Sequence, residues 1–321
     1  MNASHAAASN RWTVKGTLWR KRLSHQWGLF CQDRLALSGL VILGLFIALA
    51  LLQAAWMAMG VPKIYDPIYG YDFSQAPFSP PNASHWLGTD SHGRDVLSQL
   101  IFSVRFELVV ALLAALITVV LGTSMGVVAA YYAGSWADAL LMRLSKMFLV
   151  IPPVAFIFFL SRLGGFNHLT LGLTIGVLGG GKVAMMMKAR ALEITVQPYI
   201  SAARIAGGGS LHILWRHVIP NVIPFVFMFV MFIAVIAILA EALLSFFGTG
   251  SMDQGPGAFI QMSWGYMLFL SYYQGFFNGG NVITYWWLVF PAAAAIMLFC
   301  SSLYFVGRGF HRMADPSRTF A

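Results

Sequence analysis

The chain has 321 residues, of which 59% are hydrophobic and only 10% charged, with a formal net charge of +9. Soluble domains carry about 25% charged residues, so a mean hydropathy of +0.73 assigns this chain to lipid and excludes an ordinary soluble enzyme or nucleic-acid-binding domain. The excess of Lys and Arg is then a topology signal, and Cys31 and Cys300 form neither a disulfide framework nor a CxxC metal pattern.

Residues 1–34 are polar and basic, with Arg11, Lys15, Arg20, Lys21, Arg22 and Arg34. The apolar run that follows, 35–57, is long enough to cross a hydrocarbon core of ~30 Å as a helix. It is too long for a signal-peptide core, so a retained first span is expected. Residues 58–105 form a long polar segment, kept extended in its middle by Pro77, Pro80 and Pro81. His85, Asp90, His92 and Asp95 within it offer metal-ligating groups. The reading preferred over a metal site is that Asp90 caps a short helix and that Arg94 pairs with Asp95.

Further spans are expected over 106–131 and 139–160, joined by a short connection that makes them antiparallel neighbours. Gly122-Thr-Ser-Met-Gly126 fits the G-x-S-x-G pattern of hydrolases, with Ser124 as nucleophile. Inside an apolar helix the same residues read as G-x-x-x-G, a seam for another helix, and that reading is preferred. A fourth span, 169–187, contains Gly176 to Lys182, which imitates the start of a phosphate-binding loop. Val183 stands where Ser or Thr would hold Mg²⁺, and this is not an ATP site. Lys182 faces a protein interior or aqueous path, or snorkels to the interface.

The stretch 188–220 is polar and ends in YISAARIAGGGSLHILWRHVIP, Tyr199 to Pro220. Two short helices flanking a sharp turn at Gly207, Gly208 and Gly209 are expected, the second stopping before Pro220. A fifth span, 222–246, ends with Glu241-Ala-Leu-Leu-Ser-Phe-Phe-Gly248. Glu241 is expensive to place in a membrane and either lines a polar path across it or makes an interhelical hydrogen bond. Residues 249–282 read as a loop with short interfacial helices, with Trp264, Tyr266, Tyr272 and Tyr273 in the headgroup layer. A sixth span, 284–306, precedes a basic tail, 307–321.

With the N-terminus inside, inner segments and span ends carry Arg143, Lys146, Lys188, Arg190, Arg204, Arg216, Arg308, Arg312 and Arg318 besides the basic N-terminal residues. Outer segments carry only Lys63, Arg94, Arg105 and Arg162. That asymmetry fits the positive-inside rule and places both termini, and the glycine-turn loop, in the cytoplasm.

Ser201-Ala202-Ala203, Gly207 and His217-Val218-Ile219-Pro220 stand at the spacing of the E-A-A, three residues, G, nine residues, I-x-L-P loop, and the chain resembles the permeases of bacterial ABC importers. The form Arg216 to Asn221, the stretch Leu87 to Ser98, the Glu241–Gly248 segment and the Asp315–Arg318 ending are similar to the oligopeptide, dipeptide and nickel branch, its C-type subunit. The resemblance implies an all-α integral membrane protein of the type I importer permease fold, with six spans and a cytoplasmic coupling-helix loop. It implies no catalysis and no cofactor on this chain, with ATP and Mg²⁺ on partner subunits. The implied partners are a second permease subunit, two cytoplasmic ATPases, an extracytoplasmic solute-binding protein and the lipid of the bacterial inner membrane. By that analogy Ser201, Ala202, Ala203, Arg204, Gly207, Arg216, His217 and Pro220 belong to the ATPase-coupling loop. Ser201 replaces the usual acidic residue, and Arg204 or Arg216 supplies contacts in its stead. The alternative is an ion-coupled secondary transporter working through Glu241 and Lys182, which predicts inverted repeats that this sequence does not display.

Overall fold

A computed structural model describes residues 27–28, 30–60, 65–67, 70, 72, 76–164, 167–247, 262–277 and 284–314. The basic residues up to Arg22, Lys63, Gly248, Asp253 and the Asp315–Arg318 ending lie outside them. Among the described residues the regular elements are helical: α1 (Arg34–Met59), α2 (Val96–Tyr131), α3 (Trp136–Val150), α4 (Pro153–Gly164), α5 (His168–Thr195), α6 (Pro198–Ile205), α7 (Ser210–Ile213), α8 (Ile219–Phe246), α9 (Trp264–Phe277) and α10 (Trp286–Ala314), with a π-helical turn, Leu214–Val218, between α7 and α8.

Among the described residues five helical stretches are long and apolar enough to cross a membrane, and a sixth crossing arises only if α3 and α4 count as one span bent by 74°. The span expected over 139–160 is therefore broken. Pro152 and Pro153 interrupt the ladder, and Ile151, which precedes a proline, is forced to extended backbone (φ −73°, ψ 119°). Helix α2 begins ten residues before the expected 106, because Asp95 caps it by accepting from Ser98 N–H. Helix α5 runs on past 187 to Thr195, so the polar loop begins later than residue 188. Helix α10 continues through residues assigned to the tail.

The bundle is built on the α2–α5 pair, the most extensive helix contact among the described residues. Lipid tails are as apolar as Leu, so helices in a membrane associate through close packing and hydrogen bonds. Small residues make that approach possible here. A methyl group on Gly122 would lie 2.6 Å from Val183 Cβ, and one on Gly126 would lie 2.4 Å from the Ala184 carbonyl oxygen. On the facing helix, Gly176 meets Ile117 and Gly179 meets Thr118, whose hydroxyl donates to Gly176 O at 2.9 Å. Gly181 backs onto α3, where its Cβ would strike Ser145 O. The two glycine motifs that imitate a hydrolase elbow and a phosphate loop are thus the two halves of one helix seam. Ser124 is exposed and donates to Leu121 O within its own helix.

Helix α1 runs antiparallel to α10. Gly39 sits against Ser302 and Phe305, and Asp33 caps α1 while forming ion pairs with Arg308 and Arg312. At the opposite end of α2, the 76–95 segment folds into a polar knot. Asp90 receives Arg94 Nε at 2.7 Å and Gln99 Nε2 at 2.9 Å, and His85 Nδ1 lies 2.8 Å from Asp95 Oδ1. The expected roles of the two acids are therefore exchanged: Asp90 pairs with Arg94, whereas Asp95 is the helix cap. Arg94 reaches Asp90 because the turn at Gly93 (φ +72°) folds its backbone N–H back onto the same carboxylate. Trp264 and Tyr266, expected at the headgroup layer, are instead fully buried, while Tyr272 and Tyr273 are exposed.

The seam generates a prediction. Gly126→Val should lower the stability of the extracted protein by about 1–3 kcal/mol through overpacking, whereas Gly44→Ala, with nothing within 4 Å of the added carbon, should leave it unchanged. Thermal aggregation of the detergent-extracted chain, followed by size-exclusion recovery, reads both.

Candidate coupling loop and buried carboxyl pair

Helices α5 and α8 are joined by a helix–turn–helix that stands off the bundle. Pro198 occupies the first turn of α6, where its missing N–H is no loss. The helix stops in a full Schellman arrangement. Gly207 takes φ +82°, its N–H donates to Arg204 O, and Gly208 N–H reaches back to Ala203 O, both at 3.0 Å. Of the three glycines, Gly207 alone has the left-handed backbone. A side chain on Gly208 would press on Ala203 O, and Gly209 is open.

The second segment does not stop before Pro220, contrary to expectation. It passes from α7 through the π turn directly into α8. Ile219 N–H bonds Leu214 O, a five-residue step. Pro220 then falls in the first turn of α8, where a proline is tolerated. Asn221 Nδ2 donates to His217 O at 2.7 Å and to the Tyr199 hydroxyl at 3.3 Å, clasping α6 to the start of α8. Partial burial raises the Tyr199 phenol above its ordinary value, so the hydroxyl stays protonated across the physiological range.

Anchoring is apolar. Ile200, Ile213 and Val218 are fully buried in the main core, one from each piece of the loop. The outward face is the reverse: Ile205 is 88% exposed and Trp215 68%, flanked by Val196 and Tyr199. Ser201, Ala202, Arg204, Gly207, Arg216 and Pro220 are exposed, and Ala203 and His217 are half-buried. Arg204 lies over the Tyr131 ring at 5.7 Å, tying α6 to the end of α2. The eight expected loop residues therefore share one protruding element.

The two expected path residues do not meet. Lys182 is exposed on the surface of α5, midway along the helix and before the charged residues Lys188, Arg190 and Glu193 of its second half. Glu241 is completely buried and accepts from Ser245 Oγ at 2.6 Å. Its neighbour is a residue that the sequence reading passed over, Glu107 on α2, also with no exposed surface. Glu107 Oε1 accepts Trp264 N–H at 3.2 Å, at the first turn of α9, and Ser263 caps the same turn through Tyr266 N–H. Gly265 allows the approach: a methyl group there would lie 2.5 Å from Ala242 Cα. A second carboxylate in an apolar run was the available signal.

An all-helical bundle of membrane-length helices, with an exposed helix–glycine–helix loop between two of them, defines a membrane-embedded transport subunit. The family profile described as binding-protein-dependent transport system inner membrane component matches residues 122–317, and the chain belongs to that family. It is similar to a protein of Brucella suis provisionally named a peptide permease, 31% identical over 287 residues that cover 89% of this chain and 88% of the relative. A Brucella abortus protein provisionally named a peptide transport system permease is 30% identical over 280 residues, covering 87% of this chain and 86% of its own. The glutathione transport system permease of Pectobacterium atrosepticum is 27% identical over 252 residues, 78% of each chain. These relatives lend no support to the ion-coupled alternative.

The turn geometry makes a local prediction. Gly207→Ala should cost about 1 kcal/mol in the left-handed backbone and speed hydrogen exchange at the amides of residues 207 and 208, whereas Gly209→Ala should leave both rates at wild type. Peptide-level exchange mass spectrometry of the purified chain distinguishes the two.

Proposed function

We propose that this chain forms one half of the translocation pathway of an ATP-driven importer for peptides or related small solutes. The loop between α5 and α8 receives the force of a cytoplasmic ATPase. The observation that carries this reading is the contrast within 196–220: buried isoleucines root the loop in the bundle while Ile205 and Trp215 are left bare at its tip. Bare aromatic and aliphatic side chains on a short rigid helix suit a cleft on another protein.

Energy comes from partners on this reading. The Gly176–Lys182 stretch that imitates a nucleotide loop is occupied in packing against α2, so ATP and Mg²⁺ belong to two ATPase subunits and this chain performs no catalysis. A homologous permease completes the pathway, and a solute-binding protein delivers cargo on the other side. The charge asymmetry supports a cytoplasmic loop and cytoplasmic termini. Peptide as the cargo class rests on the names of the relatives. Lys182, a charge exposed halfway along α5, is suited to face the pathway or the second permease.

Two experiments test the reading. Crosslinking from an Ala203→Cys variant of the full chain in its native membrane should capture a separate ATP-binding subunit. A chain that purifies alone, with uptake that follows an ion gradient, overturns the proposal. Gly207→Asp should insert normally but lose most substrate-stimulated uptake, since the loop would lose its fixed angle; wild-type uptake by that variant would remove the coupling role from the loop.

A further inference from the structure

The coupling loop leaves the carboxyl pair at the far end of the bundle without a role. The chain has three glutamates, Glu107, Glu193 and Glu241, and two of them meet where no solvent reaches. One oxygen of each is satisfied, Glu107 Oε1 by Trp264 N–H and Glu241 Oε1 by Ser245 Oγ–H. The other oxygen of each, Oε2, is buried and receives no N–H or O–H from the described residues, although the Ser263 hydroxyl lies within hydrogen-bonding reach of the Glu241 carboxyl group. The two carboxyl groups lie within hydrogen-bonding reach of one another.

Ionised carboxylates have acceptors only, so two of them in contact leave both Oε2 atoms orphaned and two like charges in a medium that screens poorly. A single hydrogen placed between them removes both faults: one carboxyl donates O–H and the other accepts it, a strong charge-assisted bond. One negative charge then remains, and it faces the N-terminus of α9, where unpaired N–H groups favour an anion. Among the described residues no third acidic, histidine or cysteine side chain joins the pair to make a metal cage.

We propose that Glu107 and Glu241 bind one proton between their facing carboxyl oxygens, and that this proton-bridged pair is the latch that holds the N-terminus of α9 to α2 and α8. Relative to two ionised carboxylates, the latch takes up one proton from water, and no other bond forms or breaks. Glutamine imitates it: its amide N–H supplies the bridging hydrogen to the remaining carboxylate with nearly the same shape. Alanine at either position leaves the other carboxyl buried without its partner. The inference does not depend on the transport reading.

The test is infrared spectroscopy of the full-length chain in lipid vesicles at neutral pH, with ¹³C-labelled glutamate to isolate three residues from the rest. The wild type should show the carbonyl stretch of a buried protonated carboxylic acid, shifted by the label. The band should vanish in Glu107→Gln and in Glu241→Gln, while Glu193→Gln retains it. Both pair variants should keep wild-type heat resistance, whereas Glu107→Ala and Glu241→Ala should raise the unfolded fraction about tenfold or more. Absence of the band in the wild type overturns the proposal, as does heat resistance that requires Na⁺ or K⁺, which would put a metal cation between the carboxylates. Loss of heat resistance in the Gln variants equal to that in the Ala variants removes the bridging hydrogen. If the Ala variants fail to fold, the wild-type band and the Gln variants decide.

Discussion

Backbone contact between α2 and α5 is the constraint on which the rest of the bundle hangs. No hydrophobic force drives one apolar helix onto another in lipid, so the pair is held by the shallow but numerous attractions available only at short range. Glycines at 122, 126, 176 and 179 bring the helices to that range, and the Thr118–Gly176 hydrogen bond adds direction. Once α5 is fixed to α2, Gly181 positions α3, and the Asp138–Lys188 ion pair, seven residues further along the same face of α5, holds the same two helices together. The result is a bundle gathered around α2, and the loop begins where its partner α5 ends.

That connection defines how a push on the loop is distributed. On one side, α6 is pinned by Ile200 and by Arg204 over Tyr131, so it is attached to α2 as well as to α5. On the other, α7 and the π turn run without a break into α8, and Asn221 ties that start back to Tyr199. The π turn, Pro220 and Pro224, which lies inside α8, are the places along this connection where a helix ladder bends most readily.

Much of this was legible in the residues, and the failures have physical causes. Composition and apolar runs show a membrane protein of several spans, because a hydrocarbon core admits little else. Gly207 announces its turn because an L side chain resists that backbone. The break at Pro152 was written in the sequence as plainly as that turn, yet an apolar run of the right length concealed it: hydropathy measures what a segment tolerates around it and is blind to whether its ladder is continuous. Pro220 misled in the opposite sense, since a proline ends a helix only where its N–H would have been needed. Glu107 sits two residues from Arg105, at the edge of the span expected over 106–131, where the sequence alone gives a carboxylate no interior partner. Only the approach of α8 and α9 puts it in the interior. Trp264 likewise was assigned to the headgroups on residue type, when its indole N–H has a partner within the bundle, Leu100 O at 3.0 Å.

The two ends of the bundle differ in the balance of their anchors. At the loop end the buried side chains of Ile200, Ile213 and Val218 stand beside the Asn221–Tyr199 bond and the Asp33 pairs with Arg308 and Arg312. At the far end the anchors are directional: Asp90 with Arg94 and Gln99, His85 with Asp95, and the glutamate pair under α9. Displacing a buried hydrogen-bonded group leaves it unpaired, so such an end resists small shifts and yields only in a discrete step. Helix α8 is held at both ends, by Val218, Val222 and the Asn221–Tyr199 bond at its start and by Glu241 near its finish, so the element freed when the glutamate latch gives is α9.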